Sequence, residues 1–91
     1  MNIETLFEII QSRRQNMPAG SYATSLFTEG LPRIAQKVGE EGTEVVVAAL
    51  SQDDQRLIEE IADLTFHTLV LLSARGLTPG QVAAELEKRH K

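Results

Sequence analysis

Apolar positions recur along this chain at helical spacing, and four stretches carry the pattern. Ile3, Leu6, Phe7 and Ile10 lie three and four residues apart, which predicts a first helix over residues 2 to about 14. Leu31, Ile34, Ala35, Val38, Gly42, Val45 and Ala49 fall in one stripe at roughly 100° per residue. They predict a long second helix with Pro32 in its first turn, running to about Leu50. Leu57, Ile61, Leu64, Thr68, Leu71 and Leu72 make the stripe of a third helix that ends near Ala74. In the last helix Val82, Ala83 and Leu86 are expected to pack inward.

Local signals punctuate these stretches. Ser51 with Asp54 three residues on resembles a capping box for the third helix, and Gly76 suits its C-terminal cap. Thr78-Pro79-Gly80-Gln81 opens the last helix with a capping residue, a proline at the first position and Gln three residues after the cap. Residues 15 to 30 hold Pro18, Gly20 and Gly30 among Ser, Thr and Asn. They read as the one substantial loop, with Tyr22, Leu26 and Phe27 anchoring a short helical turn. Gly39 and Gly42 each weaken the second helix by about 1 kcal/mol relative to Ala, which suggests close approach by another backbone or a ligand.

Phe66, Leu69 and Val70 lie outside the stripe of the third helix, so that helix is apolar all round. Such a helix must be buried all round, and so few elements cannot cover it. The expected fold is therefore all-α, a four-to-five-helix bundle completed by dimerisation. At 91 residues the chain, 1–91, is read as a single domain.

Composition narrows the function. The absence of cysteine excludes disulfides, thiolate catalysis and cysteine-ligated zinc. No signal peptide and no membrane-spanning run is read, so a cytoplasmic protein without a membrane partner is expected. The formal charge of −4 argues against a nucleic-acid partner. Positive charge gathers at the C-terminus in Lys88, Arg89, His90 and Lys91, where it complements a helix dipole. Arg13 and Arg14 do the same for the first helix, or meet phosphate.

The chemistry sits on Lys37 to Asp63. Glu41 and Glu44 stand three apart on one helix, preceded by Glu40, and Glu60 and Asp63 repeat that spacing on the next. Residues three apart on a helix are surface neighbours. If the two helices pack side by side, four carboxylates converge and repel one another unless a cation fills the site. Mg²⁺, a hard ion demanding oxygen ligands, is the natural occupant, with Mn²⁺ as a substitute. On the wheel Glu41 lies at the edge of the stripe and Glu44 just beyond it, while Glu40 points the other way. Glu41, Glu44, Glu60 and Asp63 are accordingly read as metal ligands. His67, one turn after Asp63, is read as a hydrogen-bonded histidine orienting a carboxylate or meeting a partner chain. Solvated surface carboxylates remain the competing reading.

Glu40-Glu41-x-x-Glu44 followed by Glu60-x-x-Asp63 resembles the signature of the all-α nucleoside triphosphate pyrophosphohydrolases. Flanking blocks narrow the likeness: Gly20 to Phe27, Gly30 to Glu41, Ala62 to Leu64 and His67 to Leu72 are similar to the phosphoribosyl-ATP pyrophosphohydrolase family of histidine biosynthesis. The resemblance runs nearly end to end. It implies Mg²⁺-dependent hydrolysis of phosphoribosyl-ATP to phosphoribosyl-AMP and pyrophosphate by a homodimer. Glu40 or Glu44 is then the base that takes a proton from water. Lys37, Arg33, Ser21, Tyr22 and Thr24 become substrate-binding candidates, with residues 15 to 30 lying over the substrate. Lys37 is equally placed for an i, i+4 ion pair with Glu41. Some members of that family are fused to a cyclohydrolase with cysteine ligands, a domain not expected here. Two alternatives stand: a house-cleaning nucleoside triphosphate pyrophosphatase, and a non-catalytic helical dimerisation module.

Overall fold

The computed structural model describes residues 1–90 and contains five helices and no strand among them. They are α1 (Ile3–Asn16), α2 (Tyr22–Glu29), α3 (Leu31–Ser51), α4 (Asp54–Ala74) and α5 (Pro79–Arg89). Lys91, counted above with the positive C-terminus, lies outside the described residues. The long helices α3 and α4 form a hairpin that packs along its length, and α1 and α2 lie against it.

Local chemistry explains most of the boundaries. At the start of α1 the Thr5 N–H donates to the Asn2 side-chain oxygen at 2.8 Å, and Arg13 and Arg14 occupy its last turn. Arg14 donates to the Ser73 carbonyl at 2.5 Å, a contact that ties the end of α1 to α4. The end of α4 is a Schellman motif: Gly76 adopts φ +71°, and Leu77 N–H returns to Leu72 O at 2.8 Å. Thr78 and Gln81 make the expected reciprocal capping box of α5.

Two boundaries differ from the sequence reading. The 15 to 30 loop contains a full eight-residue helix, α2, capped by Ser21 and stopped at Gly30. Ala23 and Leu26 are buried on one side of it, so tertiary burial stabilises a helix too short to stand alone. The cap of α4 is Asp53, which accepts from Arg56 N–H at 2.9 Å, and not Ser51. Ser51 ends α3 and donates to the Val47 carbonyl.

The core joins four helices through Phe7, Ile10, Leu26, Ile34, Leu69 and Val70. This corrects the facing of α4. Val70 is 0% exposed and Leu69 is buried, although both lie off the sequence stripe, while stripe residue Ile61 is 46% exposed. The helix is apolar on two sides, and α1, α2 and α3 cover the weaker one. Of the residues from which dimerisation was expected, Leu69 and Val70 are thus buried within the chain itself, while Phe66 is half-buried. In α5 the expected inward packing of Val82 and Leu86 is also absent. Both are exposed and line an open apolar groove with Ile3, Leu64 and Leu72. Gly39 and Gly42 face open space within the chain, so neither serves a close backbone approach there.

Candidate active site

The hairpin brings three of the four paired carboxylates together. Glu41 on α3 meets Glu60 and Asp63 on α4, each offering one carboxylate oxygen within 4.8 Å of the others. Glu41 is 6% exposed and Glu60 4%, while Asp63 lies open to solvent. Glu41 therefore sits in the middle of the buried face of α3, in line with Ile34 and Ala48, rather than at its edge. Heptad spacing of Ile34, Glu41 and Ala48 keeps all three on the side that α4 covers.

Burying carboxylates is costly unless they are paired, and each buried one has a cation four residues earlier. Lys37 Nζ lies 3.1 Å from Glu41 Oε1, and Arg56 Nη2 lies 2.5 Å from Glu60 Oε1. Arg56 also pairs with Glu59. The second oxygens, Glu41 Oε2 and Glu60 Oε2, are buried and meet no donor. Those two orphaned oxygens call for a proton or a cation, and oxygen-only donors suit a hard divalent ion.

Glu44 is exposed and stands outside the tight trio, though it lines the same recess as Glu60. The neighbouring Glu44 carboxyl, then burial, pushes the Glu60 carboxyl above the usual glutamate range, against the opposing pull of Arg56. Glu41 holds the Lys37 ammonium above its ordinary value, mainly by hydrogen bonding and partly against burial. Glu40 is not part of the trio and is engaged by three neighbours. Arg33 Nη1 and Lys37 Nζ each lie 3.6 Å from it, and Gln36 donates at 3.0 Å.

A family model for phosphoribosyl-ATP pyrophosphohydrolase matches residues 3–90. The chain belongs to that family. It is 52% identical over 88 residues to the phosphoribosyl-ATP pyrophosphatase of Lacticaseibacillus casei, covering 97% of this chain and 80% of that one. The phosphoribosyl-ATP pyrophosphatase of Saccharolobus solfataricus is 43% identical over 89 residues, 98% of this chain and 95% of that one. The histidine biosynthesis bifunctional protein HisIE of Xanthomonas axonopodis pv. citri is 52% identical over 87 residues. This chain spans 42% of that longer protein.

The substrate-side candidates divide within this family frame. Lys37 and Arg33 line the Glu40 side of the cluster. Ser21 caps α2 by accepting from Thr24 N–H at 3.3 Å, and the Thr24 hydroxyl is buried without a partner. Tyr22 is half exposed, but its hydroxyl meets His67 Nε2 at 2.8 Å. His67 holds the Asp63 backbone carbonyl through Nδ1 at 2.7 Å, so it touches the acidic turn without contacting a carboxylate. Arg56 was missed by the sequence reading. The signal was present, since Arg56 precedes Glu60 by the same four residues that separate Lys37 from Glu41.

Proposed function

We propose that the chain hydrolyses phosphoribosyl-ATP to phosphoribosyl-AMP and pyrophosphate, with Mg²⁺ held by Glu41, Glu44, Glu60 and Asp63. The observation that carries this reading is the pair of buried, donorless oxygens, Glu41 Oε2 and Glu60 Oε2, facing a shared cluster in a chain of this family. A divalent ion bound there supplies Lewis-acid neutralisation of the phosphate oxygens. Lys37 and Arg33 add positive charge on the Glu40 side, where a polyanionic substrate otherwise meets an acidic protein.

In the reaction a water oxygen bonds to one phosphorus of the α–β anhydride, and the bond to the bridging oxygen breaks. The bridging oxygen leaves with the bonding electrons, and water's proton passes to a base. Glu44 fits that role better than Glu40. It is exposed and lines the same recess as Glu60, whereas Glu40 is engaged by Arg33, Lys37 and Gln36. Ser21, the cap of α2, and Thr24 in its first turn stand on the substrate wall with the ring of Tyr22 beside them, the Thr24 hydroxyl itself lying buried.

The working unit is a homodimer in this proposal. The protomer exposes 6191 Å², against roughly 5200 Å² for a monomer of its mass. Its radius of gyration, 14.1 Å, exceeds the roughly 12 Å of a compact chain of this length. Val46, Val47 and Leu50 on α3 and Ile58 and Ile61 on α4 are bare at the joined end of the hairpin. A second copy covering that end would bury them beside Glu44 and Glu60. A cytoplasmic setting belongs to the same proposal, and family membership supports it.

The test is pyrophosphate release from phosphoribosyl-ATP and from ATP in parallel, with and without Mg²⁺. Turnover of phosphoribosyl-ATP alone, and only with the divalent ion, is expected. Equal turnover of ATP would favour the house-cleaning enzyme. No release, together with no Mn²⁺ binding by calorimetry, would leave the non-catalytic module.

A further inference from the structure

His67 is 5% exposed and both ring nitrogens are engaged. A backbone carbonyl only accepts, so the contact with Asp63 O places the proton on Nδ1. Nε2 is then the acceptor, and the Tyr22 hydroxyl donates to it. The hydrogen bonds therefore run one way, from Tyr22 through His67 to the turn of α4 that carries Asp63. Aromatic contacts hold the arrangement. Tyr22 stacks on Phe66 with centroids 6.0 Å apart, and His67 sits edge-on to Phe66 and Tyr22 at 5.2 and 5.6 Å.

Tyr22 is the first residue of α2, and its hydroxyl reaches across 45 positions of sequence to α4. On the same turn Thr24 keeps a buried hydroxyl without a donor or acceptor. His67, which the Tyr22 hydroxyl meets, also holds the Asp63 backbone carbonyl, so the start of α2 is joined to the turn of α4 that carries Asp63. The remaining anchors of α2 among its buried residues are the apolar contacts of Ala23 and Leu26. Apolar contacts allow sliding, whereas a hydrogen bond to a buried ring fixes one register.

We propose that Tyr22 and His67 are positioning residues: their hydrogen bond ties the first turn of α2, with Ser21 and Thr24, to the Asp63 turn of α4 and so sets the substrate wall against the carboxylates. This rests on the hydrolase reading above for its kinetic consequence, but the tie itself is measurable without substrate. Neither residue exchanges a proton with the substrate. Tyr22→Phe removes one oxygen and retains the ring stack on Phe66.

Tyr22→Phe is expected to raise KM for phosphoribosyl-ATP about tenfold, the equivalent of one hydrogen bond, with kcat within about twofold. Mn²⁺ affinity by calorimetry should stay within about twofold, since no carboxylate is touched. His67→Leu should raise KM similarly, and the double variant should be no worse, because both remove one interaction. His67→Gln, which keeps a terminal acceptor, should recover part of the loss. Wild-type KM in Tyr22→Phe overturns the proposal, as does a fall in kcat at unchanged KM, which would make Tyr22 a participant in the chemistry. Amide exchange provides the second reading. It should quicken across residues 21 to 25 in Tyr22→Phe and stay unchanged in α3. Unchanged exchange overturns the tie whatever the kinetics show. A wild-type protein without turnover, but with the expected exchange response, would instead overturn the proposed function and leave the tie standing.

Discussion

The acidic flank of the α3–α4 hairpin and the aliphatic surface near it treat burial in opposite ways. Glu41 and Glu60 are almost wholly buried, while Leu50 at the joined end of the same hairpin is 83% exposed and Ile58 61%. A chain optimised only for monomer stability would do the reverse, because burying apolar surface is favourable at about 25 cal/mol per Å² and burying charge is not. The contrast separates two tasks. Each buried carboxylate is held by a cation one turn earlier and still keeps a donorless oxygen, an arrangement suited to a bound ion. The bare aliphatics have no covering partner among the described residues and suit a second copy of the chain.

The sharpest break in that comparison comes from the buried carboxylates. Glu41→Gln or Glu60→Gln should lower turnover by more than about a hundredfold, since even an indirect partner of a metal ligand is worth 10 to 100. Metal-free melting temperature should hold or rise as repulsion is relieved. Near wild-type pyrophosphate release in both variants would reduce the cluster to solvated surface.

Next come two substitutions that place charge on either side of the contrast. Val70→Asp puts an unpaired carboxylate in the core and should destabilise by about 4 kcal/mol or more, unfolding the chain by circular dichroism. Leu50→Glu should change protomer stability by no more than about 0.5 kcal/mol, yet shift sedimentation towards monomer. A variant that still sediments as a dimer would move the interface elsewhere, and the open groove of α5 becomes the next face to test.

A smaller effect is expected from pH. The Glu60 carboxyl is raised in the fold, first by Glu44 and then by burial. The native state therefore holds this proton more tightly than the unfolded chain does. Its stabilising contribution is complete below the ordinary glutamate range and is lost as pH rises through the raised folded value. Metal-free protein should thus melt lower as pH climbs above about 4.5 through that window. Glu44→Gln removes the leading cause and should flatten the slope. An equally steep slope in that variant would assign the shift to burial alone.

The smallest expected change lies in α5, which has no buried residue. Thr78→Ala removes one half of its capping box and should cost about 1 kcal/mol of local stability. Turnover should be unaffected, because α5 holds none of the acidic cluster. A comparable loss of activity would couple this end of the molecule to the site.

The four long helices, the caps at Gly76 and Thr78 and the two acidic pairs are legible in the sequence, because each is written in spacings of three or four residues. Those spacings are local, and the i, i+4 pair of Lys37 with Glu41 is of the same kind. Packing between the helices sets which face of α4 turns inward. Two of its faces are apolar, and periodicity cannot say which one α1, α2 and α3 will cover. Packing likewise decides that Glu41 stands mid-face and that α2 is a helix rather than a turn. The same packing put Glu44 beside Glu60 without joining the tight trio. The Tyr22–His67 bond had no local signal, since its partners are 45 residues apart. Such contacts depend on the angle and register at which helices meet, and many residues scattered along the chain set these together.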